Sequence, residues 1–256
     1  MACLDVTPQV GTTYQYAIQP VLIRSGTATW SLPFGAESAS VGIAGLTFAG
    51  VGPIVSVSTA GLVSVPYPIG TEPGDFLILI ATNGRNKAPR RLAGWTDIVS
   101  RGIGGAQDFH LYAAQRIADG STSVIVDVDT SVEGASLQVV RYDVPTGVPA
   151  PILRASQVQA GFSTTATVQF VPTPDIITTA PATAISIVAV RASNALSVIA
   201  GSGWTLRSAA ATTPGTVAVA WAIADVNVGV ASTVPSPTWQ QSGAPARWVF
   251  GGSAFG

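Results

Sequence analysis

His110 is the sole histidine and Cys3 the sole cysteine of a 256-residue chain. The side chains that most often carry acid–base, nucleophilic or metal chemistry therefore come singly. A zinc site needs three or four nitrogen, sulfur or oxygen ligands, and neither residue has a second of its kind with which to begin a set. His110 lies in "DFHLYAA" and reads as packing in the core or at its rim. A lone cysteine also excludes an intrachain disulfide. The acids of "DVDTSVE", Asp127 and Asp129 with Glu133 nearby, could gather on one face as oxygen ligands for calcium. The ordered glycine and ligand spacing of a calcium loop are missing, however, so an exposed polar strand face is the plainer reading. No GxSxG elbow occurs. "GIGGAQ" at 102–107 lacks the lysine and following helix of a phosphate loop, which leaves a hairpin. Thirteen scattered Asp and Glu favour no opposed pair for glycoside hydrolysis. The chemistry points away from an enzyme, and no cofactor is required.

The elements that carry these residues are strands. Val, Ile and Thr crowd short segments such as "STSVIVDVDTS" at 121–131, where Val124, Val126 and Val128 alternate with Ile125, Asp127 and Asp129. That is the period of a half-buried strand, apolar on one face and increasingly polar on the other. "GDFLILIATN", "DFHLYAAQRI", "ASLQVVRYDV", "TTATVQFV", "ATAISIVAVRA", "GTVAVAWAIAD" and "ARWVFGGSAF" are further strands, each bounded by Gly, Pro, Asn or Ser. The run "FLILIA" at 76–81 is far short of the roughly 20 apolar residues of a spanning helix, and reads as a buried strand. The fold class is all-β, with the rhythm of a sandwich.

Composition narrows the partners. Hydrophobic residues make up 47% of the chain, enough for a sizeable core, whereas only 10% are charged against about 25% in ordinary soluble domains. With a net charge of -1 the surface is mostly neutral and repels its own copies weakly, which suits a chain that works in contact with neighbours. Twelve basic against thirteen acidic residues leave no excess positive charge to displace phosphate counterions, so nucleic acid is not expected as a partner. Membrane insertion is not expected either. The start "MACLDVTPQVGTTYQ" lacks the basic and apolar regions of a secretory signal, so synthesis and assembly inside a cell are expected.

Two stretches resemble each other. "LAGWTDIVS" at 92–100 and "GSGWTLRSA" at 201–209 share Gly-Trp-Thr, and each is followed by Ile-Ala-Asp, at 117–119 and 223–225. A shift of 109 residues lays Gly94, Trp95 and Thr96 on Gly203, Trp204 and Thr205 and pairs "DFLILIATN" with "AISIVAVRA". The pattern is that of a divergent duplication with a unit near the size of one β-sandwich. It divides the chain into a Gly- and Ser-rich N-terminal arm over 1–62, a first unit over 63–145, a Pro-containing linker over 146–164 and a second unit over 165–256. The expected architecture is two β-sandwich, jelly-roll-like units, or one larger two-sheet jelly roll to which both halves contribute strands. The arm would lie across a neighbouring subunit or add a strand or two to the first sandwich.

The pattern "PGDFLILIATNG...GWTDI...FHLYAAQRIAD...SVIVDVD...LQVVRYD" is similar to a domain of minor tail and other virion structural proteins of tailed phages, particularly those infecting actinobacteria. It covers about 73–143 well and the second half loosely, where Thr183-Ala184 stand in place of Gly74-Asp75. The resemblance implies a non-enzymatic virion component of the tail, tail tip or capsid decoration, forming a homo-oligomer with other virion proteins as partners. In that signature Gly74 supplies backbone freedom ahead of the strand and Asp75 can bond turn amides, while Trp95 and Trp204 suit plugs at the ends of a sandwich. A second reading is a carbohydrate-binding module for host attachment, with solvent-facing tryptophans stacking on a cell-surface glycan, Trp239 first among them.

Overall fold

In the computed structural model the chain is all-β, with no helix among the described residues. These are residues 45–256 apart from 91, 106–107, 130–132, 147–149, 163–166, 171–174, 179–181, 192–196, 199–202, 215–216, 230–231 and 243–246, together with four short strands ahead of them. Those four are β1 (Thr13–Tyr14), β2 (Val21–Arg24), β3 (Thr27–Ser31) and β4 (Val41–Gly42), paired β1 with β4 and β2 with β3. The first half follows with β5 (Thr47–Val51), β6 (Val55–Val57), β7 (Gly61–Pro66), β8 (Phe76–Asn83), β9 (Thr96–Ile103), β10 (Phe109–Ile117), β11 (Ser123–Val128) and β12 (Ala135–Asp143). The second half has β13 (Leu153–Phe162), β14 (Thr167–Phe170), β15 (Ile176–Thr178), β16 (Ala182–Val190), β17 (Ser197–Val198), β18 (Thr205–Thr212), β19 (Val219–Val228), β20 (Ser232–Val234), β21 (Trp239–Ser242) and β22 (Arg247–Phe255).

The same antiparallel layout occurs twice. One sheet runs β5-β12-β8-β10-β9, with β6 also on β12, and the other runs β13-β22-β16-β19-β18. A two-stranded ribbon accompanies each, β11 with β7 in the first half and β15 with β20 in the second, where β14-β21-β17 adds a further small sheet. Order and direction match strand for strand, as a duplicated unit requires.

Three cores account for the arrangement. Val63, Val65, Val124, Val126 and Val128 of the first ribbon close over Leu77, Leu79, Tyr112 and Trp95 on the outer face of the first sheet. Ala184, Val188, Val190, Trp204 and Trp239 form the outer core of the second half. Between the halves, Phe76, Ile78, Ile80, Val99 and Leu111 of one sheet meet Ile185, Ile187, Ala189, Trp221 and Phe255 of the other. The two large sheets therefore stack face to face, and each half is a small sandwich that lends its inner face to a shared centre. This combines the two architectures left open by the sequence. It also explains why β8 and β16 are apolar without alternation: every residue of both is buried, because both faces of the strand are covered.

Polar ties cross the central layer. Leu46 N donates to Thr183 Oγ1 at 2.7 Å and Thr183 Oγ1 to Asn227 Oδ1 at 2.7 Å. Ser208 Oγ donates to Gln138 Oε1 at 2.9 Å while Gln138 Nε2 holds Gly52 O at 2.6 Å. Trp221 Nε1 reaches Ser136 Oγ at 3.4 Å. Buried amides and hydroxyls without partners would cost about 1–3 kcal/mol each, so these pairs fix the lateral position of one sheet on the other.

Two boundaries move. The expected arm over 1–62 overlaps β5, β6 and the start of β7, whose Phe48, Val55, Val57 and Val63 pack on the cores, so the first half begins by residue 46. The rest of the arm lies outside the described residues apart from the four short strands. The expected linker over 146–164 contains the whole of β13, a ten-residue strand paired along β22. The Ile-Ala-Asp landmark is also corrected. Ile117 pairs with Phe76 at the start of β8, whereas Ile223 pairs with Ile187 in the middle of β16. The two tripeptides hold different registers, and their fates differ: Asp119 is exposed and Asp225 buried.

Candidate functional site

The signature residues are turn and core elements. Gly74 has φ +101°, a conformation closed to most side chains. The Asp75 carboxylate accepts from Glu72 N at 2.8 Å, and Asp75 O accepts from Ala118 N at 2.8 Å, so the dipeptide closes the turn and latches it to the end of β10. In the second half Thr183, at the corresponding place, bonds Leu46 and Asn227 instead. Gly94 and Gly203 have φ of +75° and +76°, and each swings the following tryptophan under its own outer sheet. Trp95 lies in the first outer core with the Arg116 guanidinium 5.6 Å from its ring centroid. Trp204 lies in the second, its Nε1 donating to Pro235 O at 3.0 Å. Thr96 and Thr205 open β9 and β18 and are exposed. The structure brings no two of these groups together as a site; they are paired corners of paired sandwiches.

Trp239 offers no stacking surface. It is fully buried and its Nε1 donates to Ser186 Oγ at 3.3 Å, a correction to the expectation of a loop tryptophan, made because β21 tucks it into the second outer core. Trp95, Trp204 and Trp221 are buried as well. The side chain of Trp30 lies outside the described residues.

The acids considered for calcium are each matched to a different cation. Arg90 meets Asp127 at 3.2 Å, Lys87 meets Asp129 at 3.0 Å and Arg85 meets Glu133 at 3.4 Å, so the segment 85–90 is laced to the ribbon end by three ion pairs. Among the described residues no group of three His, Cys, Asp or Glu is placed to hold a metal.

His110 has company that its sequence position did not reveal. Its Nε2 is 3.2 Å from Ser100 Oγ on the neighbouring strand β9, and its Nδ1 is buried without a partner. Gly102 makes room for this cluster: a side chain there would strike the Asn86 amide and the His110 ring. Burial lowers the His110 pKa to about 4, so the ring is neutral at pH 7. A serine beside a neutral imidazole is the start of a nucleophile–base arrangement, but among the described residues no third group orients the ring, and a base of such low pKa gains few protons at neutral pH. Packing explains it better. The β9–β10 hairpin was legible as "GIGGAQ"; its register, which sets Ser100 beside His110, was not.

Several large apolar side chains are exposed. On the ribbon, Val124, Val126 and Val128 point inward and Ile125 outward, 54% exposed, with Leu62 of β7 at 76%. Ile125 pairs with Ser64 and Asp127 with Leu62, so the two side chains are diagonal neighbours on one outer face. Ile69 in the adjoining turn is fully exposed, and Val51 and Ile54 are more than a third exposed. The outer face of the ribbon is the candidate contact surface.

No protein family, curated protein or solved structure matches this chain.

Proposed function

We propose that the protein is a non-enzymatic structural component of a tailed-phage virion, in the tail, tail tip or capsid decoration, and that it acts by packing against further copies of itself and other virion proteins. The observation that carries this reading is the outward pair Leu62 and Ile125 on the first ribbon, set on a chain with 10% charged residues and net charge -1. Exposed apolar groups on one face favour association, and many modest contacts of about 25 cal/mol per Å² sum to a stable assembly. Quantitative mass spectrometry of particles purified from a lysate of the encoding phage tests the assignment. A fixed copy number per particle is the expected result; absence from particles that are otherwise complete contradicts it.

A further inference from the structure

Ten of the twelve basic residues have described side chains, and seven of these face a carboxylate. They are Arg85, Lys87, Arg90, Arg116, Arg141, Arg191 and Arg207. A chain so poor in charge thus neutralises most of its cations internally. Of the three that lack an acidic partner, Arg154 donates to Gly256 O. The other two, Arg101 and Arg247, line the same open cleft of about 500 Å3. The cleft lies at one end of the shared central layer, where β9 of the first half faces β13 and the start of β22 of the second. Its lining contains no acid, and Gly102, Gly104 and Gly161 present bare backbone there. Arg247 is held in place, its Nη1 donating to Gly104 O. Arg101 is exposed and makes no hydrogen bond or ion pair among the described residues.

We infer that this cleft binds an anionic group, a carboxylate or a phosphate, carried on a molecule of about the size of a monosaccharide. Two guanidinium groups lining one cleft without an acid suit recognition of an oxyanion, because each presents a planar fork of donors that matches carboxylate and phosphate geometry. The volume falls in the range of small-ligand sites, and such sites favour the junction between two units. Glycines in the wall let the body of the ligand approach backbone donors and acceptors closely. The tryptophans considered for glycan stacking take no part. The cleft is independent of the ribbon face, so it stands whether or not the assembly reading holds.

Titration calorimetry on the full chain tests this with glucuronate, glucose 6-phosphate, inorganic phosphate and, as the neutral control, glucose. Glucuronate or glucose 6-phosphate is expected to bind, with glucose at least tenfold weaker, and the stronger of the two identifies the anion as carboxylate or phosphate. Equal binding of inorganic phosphate would overturn the requirement for a sugar-sized body. Arg101→Gln, which removes no hydrogen bond among the described residues, should weaken binding at least tenfold, and Arg247→Gln likewise. Arg154→Gln should leave it unchanged. Absence of binding by every anion, or binding unaltered in Arg101→Gln, overturns the inference.

Discussion

Single residues at the central layer carry more of the stability than their number suggests. Arg207 Nε lies 3.0 and 2.9 Å from the two oxygens of Asp225, whose side chain is 5% exposed. Its guanidinium also covers the Phe48 ring, 5.0 Å from the centroid. Phe48 in turn meets Tyr142 edge-on at 5.9 Å, and burial together with the Asp225 charge pushes the Tyr142 phenol well above its ordinary pKa. Asp225→Ala would leave Arg207 and its partly buried charge unpaired. The expected loss is near the lower end of about 3–5 kcal/mol, because Arg207 is 27% exposed, and urea denaturation measures it. His110 supplies a pH dependence of known sign. Its folded pKa, lowered by burial to about 4 from 6.5, means that the unfolded chain binds a proton first as pH falls. Stability should therefore be level above pH 6.5 and decline between pH 6.5 and 4. The Asp119 carboxyl, held near 2 chiefly by Ser121 and then by Arg116, loses its own contribution only below that window. Urea midpoints at pH 7.5 and 5.0 should differ for the wild type and differ less for His110→Asn; equal differences in both chains would assign the decline elsewhere.

At the scale of the element, the two Gly-Trp-Thr corners and the sheet-on-sheet contact make separable demands on glycine. A Cβ on Gly94 or Gly203 meets no atom within 4 Å, so only the positive φ opposes a side chain. Gly94→Ala and Gly203→Ala should each cost about 1 kcal/mol. Gly251 faces the other sheet, where a Cβ would lie 1.9 Å from Val99 Cγ2. Gly251→Ala therefore forces the stacked sheets apart and should cost about 2–3 kcal/mol, more than either corner, with denaturation midpoints as the readout. A smaller loss for Gly251→Ala would mean that the sheets do not stack as closely as described. The strands β8, β10, β11, β12, β14, β16, β19 and β22, the alternation over 123–128, the turn at Gly74-Asp75 and the burial of Trp95 and Trp204 were legible in the sequence, since each follows from a local pattern, whereas β13 lies in the expected linker. The stacking was not. "FLILIATN" and "ATAISIVAV" are apolar on both faces, and such a pattern shows that both faces are covered without showing by what. The burial of Trp239 and the meeting of Ser100 with His110 depend on register, which composition does not encode.

The whole molecule is a doubled unit whose halves share a core and whose outer surface is short of charge. Most described cations are neutralised by internal ion pairs, and Leu62 and Ile125 leave apolar area on the outer face of the first ribbon. Arg101 and Arg247 come from strands far apart in the chain, so no local motif announces their cleft; only the stacking of the halves brings them together. Association of copies through the ribbon is the central claim, and size-exclusion chromatography with light scattering tests it most directly. Wild-type protein should elute at a multiple of the 26.0 kDa chain mass, and Leu62→Arg combined with Ile125→Arg should return it to the single-chain mass with its far-ultraviolet circular dichroism unchanged. A wild type that stays at the single-chain mass at every concentration, or a double variant that keeps the full assembly, would contradict the claim.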